Sequence, residues 1–453
     1  MTNDRKALLL LLLLDCASML TIFNIISHYR GVSSHFVLGP LVVPLLIVIL
    51  AIGLIDGYRI STDMLSVDYT SLHTIAVISA MVATLLLTYV FLPAGFELQS
   101  SRIAILVSFL CLIPITIGYR RLLYSPIAAA RSLRSLVYIG DRESSLAFQE
   151  ECQATNTQQP VVYASIGTVP PFPVDGLQLR PFRDVLEAIR TGQLVAGAII
   201  LRESNRELNS EMSKELVQLY FQGLPTYTLE LFHQVYWQKI PLYRLNQTWL
   251  FQEGFQIARE PVFERLKRIS DIVLATIGLV LAALPVAIAA VAISIEDRGP
   301  IFFRQSRVGK NRVSFQILKL RSMRTNDGLG DKYTQVGDRR ITRVGKFLRS
   351  TRVDELPQLW NVLMGDMSLI GPRAEWDQLV NDYEEKIPCY HFRHLVKPGI
   401  TGWAQVNYPY GANMDDTLRK LEYDLYYIRH FSFLLDASIV LKTIHVMLFG
   451  KGR

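Results

Sequence analysis

"DIVLATIGLVLAALPVAIAAVAISIEDRGP", Asp271–Pro300, holds a mostly apolar run from Ile272 to Ile295 with Pro285 near its middle. About 20 apolar residues cross a hydrocarbon core of about 30 Å, so the length suits a membrane span. An ordinary span would carry the chain to the other side. Positive charge nevertheless brackets both ends, with Arg265, Lys267 and Arg268 before it and Arg298, Arg304, Arg307 and Lys310 after it. Lys and Arg concentrate on the cytoplasmic side, so both flanks favour the same side. Pro285 removes one backbone hydrogen bond and kinks a helix, at a cost of about 3 kcal/mol in an ordinary helix interior. The segment therefore reads as helix–break–helix over about residues 268–296, dipping into one leaflet and returning at Pro285. A kinked through-span is the alternative.

Hydrophobic residues make up 50% of the 453-residue chain and mean hydropathy is +0.25. That excess is localised. Before residue 124 there are four apolar stretches, Ala7–Ile26, Val37–Ile55, Leu72–Leu92 and Ile103–Ile117. The first three meet span length; the fourth is shorter and carries Pro114. The first reads as a retained anchor, since no small-residue cleavage site follows its long apolar core. Arg5 and Lys6 precede the first stretch, Arg59 follows the second, and "YRRLLYSPIAAARSLR" follows the fourth. The intervening loops hold only Arg30 and Arg102, which puts both ends of the bundle in the cytoplasm. The net charge of +7 and pI near 9.1 then suit a membrane surface and phosphorylated ligands rather than nucleic acid. Cys16, Cys111, Cys152 and Cys389 are widely spaced, with no CxxC pair and no disulfide framework.

From Ser135 the pattern changes. "SLVYIG", "PVVYASIG" and "LVAGAIIL" read as buried strands alternating with helices near Ser144–Ala154 and Asn209–Gln222. That alternation predicts a parallel sheet with crossover helices. After the first strand, Gly140 stands where a dinucleotide fingerprint begins, but Arg142 and Ser145 occupy its later glycine positions. Side chains there obstruct a pyrophosphate, so a Rossmann-like domain without dinucleotide is expected. The fold class expected is an α-helical transmembrane bundle (1–124), an α/β Rossmann-like cytoplasmic domain (125–254) and a mainly α catalytic domain with a re-entrant membrane helix (255–453).

Phe255–Thr325 carries twelve Lys and Arg against five Asp and Glu. Close behind it stands "STRVDELPQLWNVLMGDMSLIGPRAE", Ser350–Glu375, where Asp354 and Glu355 precede Pro357. Proline is tolerated in a helix's first turn, so the acids are expected at a helix N-terminus, which favours anions. On the residues alone, Asp354 reads as an N-cap and Glu355 as a solvated acid. Glycoside hydrolysis by the pair is disfavoured, since adjacent residues diverge by about 100° around a helix. A sharper alternative has one carboxylate attacking phosphorus and the other holding Mg²⁺.

Those residues, with "GPIFFRQSRVGKNRVSFQILKLRSM" and "VKPGITGWAQVN", resemble the bacterial sugar transferases, the polyprenyl-phosphate hexose-1-phosphate transferases. The motifs run in order over Val262–Arg453, and the bundle with a Rossmann-like module is similar to long members, including those of exopolysaccharide loci. The resemblance implies a bacterial inner-membrane enzyme that moves hexose 1-phosphate from a UDP-sugar to undecaprenyl phosphate. UDP-glucose or UDP-galactose is the expected donor and UMP the product. It implies Asp354 as nucleophile, Glu355 as Mg²⁺ ligand, and Lys319, Arg321, Arg349 and Arg373 as phosphate-handling residues. Gly399, Thr401, Gly402 and Gln405 fall on a nucleotide-side loop. Two positions depart from the pattern: Leu284 precedes Pro285 in place of a hydroxyl residue, and Ala374 replaces a proline. The tail over Phe431–Phe449 suits the membrane plane, with Lys442, Lys451 and Arg453 facing anionic lipid. A non-catalytic nucleotide-sensing scaffold and a glycosyl transferase releasing UDP remain as competing readings. Neither the hexose nor a homo-oligomer can be read from the residues.

Overall fold

The computed structural model describes residues 3–32, 34–59, 62–91, 102–155, 157, 159–165, 177–202, 210–242, 261–296, 298–324, 340–408 and 413–449. Contacts divide the chain into two units, Met1–Gln238 and Lys239–Arg453.

The first unit opens with α1 (Asn3–Tyr29), α2 (Val42–Leu54), α3 (Val67–Leu86) and α4 (Arg102–Ser132). Helix α1 packs on α4, α2 on α3, and α3 on α4. Leu8–Tyr29, Val67–Val90 and Arg102–Ala130 are each long and apolar enough to cross a membrane. Two expectations change here. The second stretch forms only a 13-residue helix, because Gly39 and Pro40 set a 3₁₀ turn (Gly39–Leu41) before it. The fourth, read as the shortest, is a 31-residue helix that continues through Pro114 and Pro126. Neighbouring helices and local adjustments satisfy the groups that proline frees in such settings.

Strands β1 (Ser135–Ile139), β2 (Val161–Ser165), β3 (Leu179–Pro181), β4 (Ala196–Leu201) and β5 (Thr226–Thr228) follow, with α5 (Arg142–Ala154), α6 (Phe182–Arg190), α7 (Ser210–Phe221) and α8 (Leu229–Phe232). All pairings are parallel, in the order β3-β2-β1-β4-β5. The parallel sheet expected from alternation is present, and apolar clusters cover both faces. Strands β3 and β5 were not anticipated; at three residues each they are too short to leave a period. At the β1/β4 switch point Asp141 caps α5 through Ser144 N (2.9 Å) and pairs with Arg202. The membrane protein thus combines long apolar helices with an α/β part.

The second unit contains α9 (Pro261–Glu296), hairpin β6 (Phe302–Val308) and β7 (Ser314–Leu320), α10 (Arg343–Thr351), α11 (Gln358–Met364), β8 (Ser368–Ile370), α12 (Asp377–Lys386), β9 (Gly399–Thr401), α13 (Trp403–Asn407), α14 (Met414–Arg429) and α15 (Phe433–Phe449). The break expected at Pro285 does not occur: α9 is one 36-residue helix. A single buried stripe explains its continuity. Lys267, Asp271, Ala275, Ala282, Ala289 and Ile293 recur at helical spacing and pack against the rest of the unit. Gly278 brings α11 close, since a Cβ there would sit 3.1 Å from Leu359 Cδ1. Losing one hydrogen bond at Pro285 is minor beside packing along the whole helix. Its outer face, Ile277, Val280, Leu281, Leu284, Ile288 and Val291, is exposed.

Both ends of α9 are tied to this unit. Near its start, Arg268 donates to the carbonyls of Val362 (2.5 Å) and Leu363 (2.6 Å) at the end of α11. At its end, Glu296 accepts from the amides of Arg343 (2.8 Å) and Val344 (3.1 Å), which open α10. Helix α15 keeps Leu434, Met447, Leu448 and Phe449 exposed. Lys442, expected to face lipid, instead donates to Asn407 Oδ1 (3.1 Å) and lies over the Trp403 ring. Lys451 and Arg453 lie outside the described residues.

Candidate active site

The hairpin provides the floor of the site. Cross-strand partners share a face, and the register pairs Arg307 with Phe315, Gln305 with Ile317 and Phe303 with Lys319. Period-two alternation therefore puts Arg307, Ile317 and Lys319 on one face, and all three line a cleft. Helix α11 closes it with Gln358, Met367 adds to it just before β8, and Arg373 and Ala374 just after. Gly399 and Ile400 of β9 complete the lining.

Asp354 and Glu355 stand on a 3₁₀ turn, Val353–Glu355, between α10 and α11. Arg352, left-handed at φ 59°, ends α10 and redirects the chain into this turn. The helix-cap reading of Asp354 is corrected, because the residue before α11 is Pro357 and no side chain caps that helix. Asp354 is 7% exposed, and its Oδ1 has no hydrogen-bond partner among the described residues. Burial pushes its pKa up and Glu355 adds to that, while Lys319, Arg349 and Arg352 oppose it.

Glu355 is in the opposite condition. Lys319 Nζ lies 2.9 Å from its Oε1, Arg373 3.8 Å from the same oxygen, and Arg352 3.7 Å from Oε2. Burial alone would raise its pKa, but Lys319, then Arg373 and Arg352, hold it down at about 2. Lys319 shifts downward because burial outweighs the attraction of Glu355. The turn thus pairs an ionised, cation-held carboxylate with one that keeps a buried oxygen unpartnered among the described residues.

The other expected residues divide. Lys319, Arg373 and Gly399 line the cleft; Arg349 does not, but its charge acts on Asp354 while its Nε donates to Ser322 Oγ at 2.9 Å. Arg321 does not line the cleft; its buried side chain packs on Gly299, where any Cβ would collide with it. Thr401, Gly402 and Gln405 also lie outside the lining. Thr401 Oγ1 meets Thr443 Oγ1 at 2.8 Å, and Gln405 Nε2 donates to Ile400 O at 3.1 Å. Gly399 and Gly402 let β9 cross the Gly371 backbone, since a Cβ at either would collide with it. Arg307, Gln358 and Met367 were not anticipated as site residues. Gln358 stood in full view within "VDELPQ", and Arg307 entered only as a flanking charge.

Among the described residues, no group of three or more His, Cys, Asp or Glu side chains forms a metal cage. The dyad offers two carboxylates only. That donor set suits Mg²⁺, which takes one or two carboxylates and fills its shell with phosphate oxygens and water. Among the described residues Asp354 Oδ1 has no hydrogen-bond partner, and Arg352 lies 3.7 Å from Glu355 Oε2, so the residues fit such an ion.

Residues 262–450 match the family described as Bacterial sugar transferase. A UDP-N-acetylgalactosamine-undecaprenyl-phosphate N-acetylgalactosaminephosphotransferase of Aeromonas hydrophila is 41% identical over 268 residues, which is 59% of this chain and 61% of that protein. A UDP-glucose:undecaprenyl-phosphate glucose-1-phosphate transferase of Escherichia coli K12 is 45% identical over 185 residues, 40% of this chain and 39% of that protein. The match therefore spans less than two thirds of either relative. The exopolysaccharide production protein PSS of Rhizobium leguminosarum bv. phaseoli is 40% identical over 195 residues, 41% of this chain and 98% of that protein. With the dyad, its cations and the cleft all inside the matched segment, the chain belongs to the bacterial sugar transferase family.

Proposed function

We propose that this protein transfers a sugar 1-phosphate from a UDP-sugar to undecaprenyl phosphate and thereby starts an exopolysaccharide. One observation carries the reading: among the described residues the buried Asp354 keeps an oxygen without a partner, next to a Glu355 held by Lys319 and Arg373, which line a cleft together with Arg307. Relatives named for glucose 1-phosphate and N-acetylgalactosamine phosphate transfer support the reaction class.

In the first step the Asp354 carboxylate attacks the β-phosphorus of the UDP-sugar. The bond from that phosphorus to the bridging oxygen breaks, and UMP departs with the electron pair. In the second step a phosphate oxygen of the lipid attacks the same phosphorus and Asp354 leaves, giving a lipid diphosphate sugar. Lys319, Arg307 and Arg373 balance the phosphoryl charge in both steps. Glu355 would hold Mg²⁺, which supplies further charge neutralisation to the phosphates.

A helix clamped at both ends to one polar unit suits a segment lying within one leaflet, with both ends on the cytoplasmic side of the inner membrane. The apolar outer face of α9 then meets lipid while the cleft faces the cytoplasm. A cysteine at Arg298, exposed just beyond α9, should resist membrane-impermeant reagents applied from outside; labelling from outside only would overturn this placement.

The test of function is product identity. Membrane-embedded protein given undecaprenyl phosphate, Mg²⁺ and UDP-glucose or UDP-N-acetylgalactosamine should release UMP. Release of UDP would make it a glycosyl transferase, and no release from any UDP-hexose would favour the scaffold reading.

A further inference from the structure

Helix α11 carries two amide side chains one turn apart, and the fold uses them differently. Asn361 is fully employed: its Oδ1 accepts from Leu318 N (2.9 Å) and its Nδ2 donates to Gln316 O (2.8 Å), fastening α11 to β7. Gln358, at the start of the same helix, is 3% exposed, and its Nε2 finds no hydrogen-bond partner among the described residues. A buried donor left unpaired is unfavourable, and most such groups in folded proteins are satisfied. Gln358 lines the cleft together with Lys319, Arg307 and Arg373. Lys319 is already shared with Glu355, and Arg307 donates to Ala374 O (3.1 Å) and Gln305 Oε1 (2.6 Å). The orphan amide is thus the uncommitted neutral donor in a cleft with a cationic wall.

We propose that Gln358 Nε2 donates a hydrogen bond to a phosphoryl oxygen of the nucleotide-sugar diphosphate, holding it against Lys319, Arg307 and Arg373. The assignment rests on the transferase reading of this cleft. A phosphoryl oxygen is the partner favoured over a sugar hydroxyl, because the surrounding cations select an anion and a charge-assisted bond is the stronger one. A neutral donor also suits the place. A carboxylate there would add a third negative charge beside Asp354 and Glu355.

Two variants of similar size test it, Gln358→Met and Gln358→Glu, in the full-length protein. Equilibrium binding of UDP, UDP-glucose and UDP-N-acetylgalactosamine is measured alongside thermal unfolding and UMP release. Gln358→Met should weaken all three ligands about tenfold or more, the scale of one hydrogen bond to a charged group. Its melting temperature should hold or rise, because an unpaired buried donor has gone. Gln358→Glu should weaken them further. Unchanged UDP affinity in Gln358→Met would overturn the proposal, as would a loss confined to the sugar-bearing ligands. A drop in melting temperature matching the loss of affinity would make the residue structural and overturn it too. Wild-type protein that binds no UDP overturns it as well. If wild-type protein binds UDP but releases no UMP, the transferase reading fails, and the Gln358 contact is still decided by the UDP comparison.

Discussion

In the helical bundle, Asp15 has both carboxylate oxygens taken; in the second unit, Asp354 keeps one oxygen without a partner among the described residues. Arg120 grips Asp15 in a two-pronged pair, NH1 to Oδ1 at 2.7 Å and NH2 to Oδ2 at 2.6 Å, while Tyr58 donates to Oδ2 at 2.6 Å and Tyr119 to Oδ1. Both charged side chains are fully buried. An ionisable group at membrane depth is costly unless paired, and this one is saturated, so its work is to join α1 to α4. Asp354 is nearly as buried, yet its surroundings stop short of saturating it. A carboxylate that must attack phosphorus has to keep a lone pair free. On the proposed mechanism, the difference separates a group that serves assembly from one that serves chemistry.

The comparison can be broken most sharply at Asp354. Asp354→Asn should cut UMP release by about a thousandfold or more, as loss of a nucleophile does. Its melting temperature should hold or rise, because burial already disfavours the charge that the amide removes. Near-normal turnover would remove Asp354 from the nucleophile role.

Next in size is the saturated pair. Arg120→Met should destabilise the protein by about 3–5 kcal/mol, since Asp15 would be left buried without its cation. Thermal unfolding in membrane mimetic reads this, and the double variant Asp15→Leu/Arg120→Met should recover most of the loss. If Arg120→Met instead unfolds normally but abolishes UMP release, the bundle pair is functional and the contrast fails.

Smaller again is Lys319→Gln, expected to lower kcat/KM about a hundredfold by removing one phosphate-facing cation. It also carries a pH signature. Lys319 lowers the pKa of both Glu355 and Asp354, so its removal raises both. The acid limb of the pH–rate profile should therefore move to higher pH. Because the folded-state pKa of Glu355, about 2, lies below its ordinary 4.5, Glu355 contributes stability that is complete above pH 4.5 and is lost as pH falls toward 2. Lys319→Gln should shrink that acid-dependent loss; an unchanged acid limb would detach Lys319 from the dyad.

Much of this arrangement is legible in the residues. Apolar length marked α1, α3 and α9, alternation marked β1, β2 and β4, and the ordered motifs marked the dyad with Lys319 and Arg373. These signals are local: a membrane helix or a buried strand needs only its own neighbours in sequence to show a period. Gln358 could not be singled out, because an amide declares its role only when its partners, or the lack of them, are known. Gly399 and Gly402, expected on a nucleotide-side loop, sit where the chain crosses the Gly371 backbone.

Pro285 illustrates the same division. From sequence it was a break, since the missing hydrogen bond is a local fact; packing of the small-residue stripe against α10, α11 and the hairpin kept α9 whole. Asp354 is the other case. Sequence placed two acids among arginines and before a proline, which is a matter of chain order. That one acid is held by Lys319 while its neighbour keeps an oxygen free was decided by tertiary structure. Lys319, Arg373 and the dyad come from separate segments, and only folding sets the distances on which charge interactions depend.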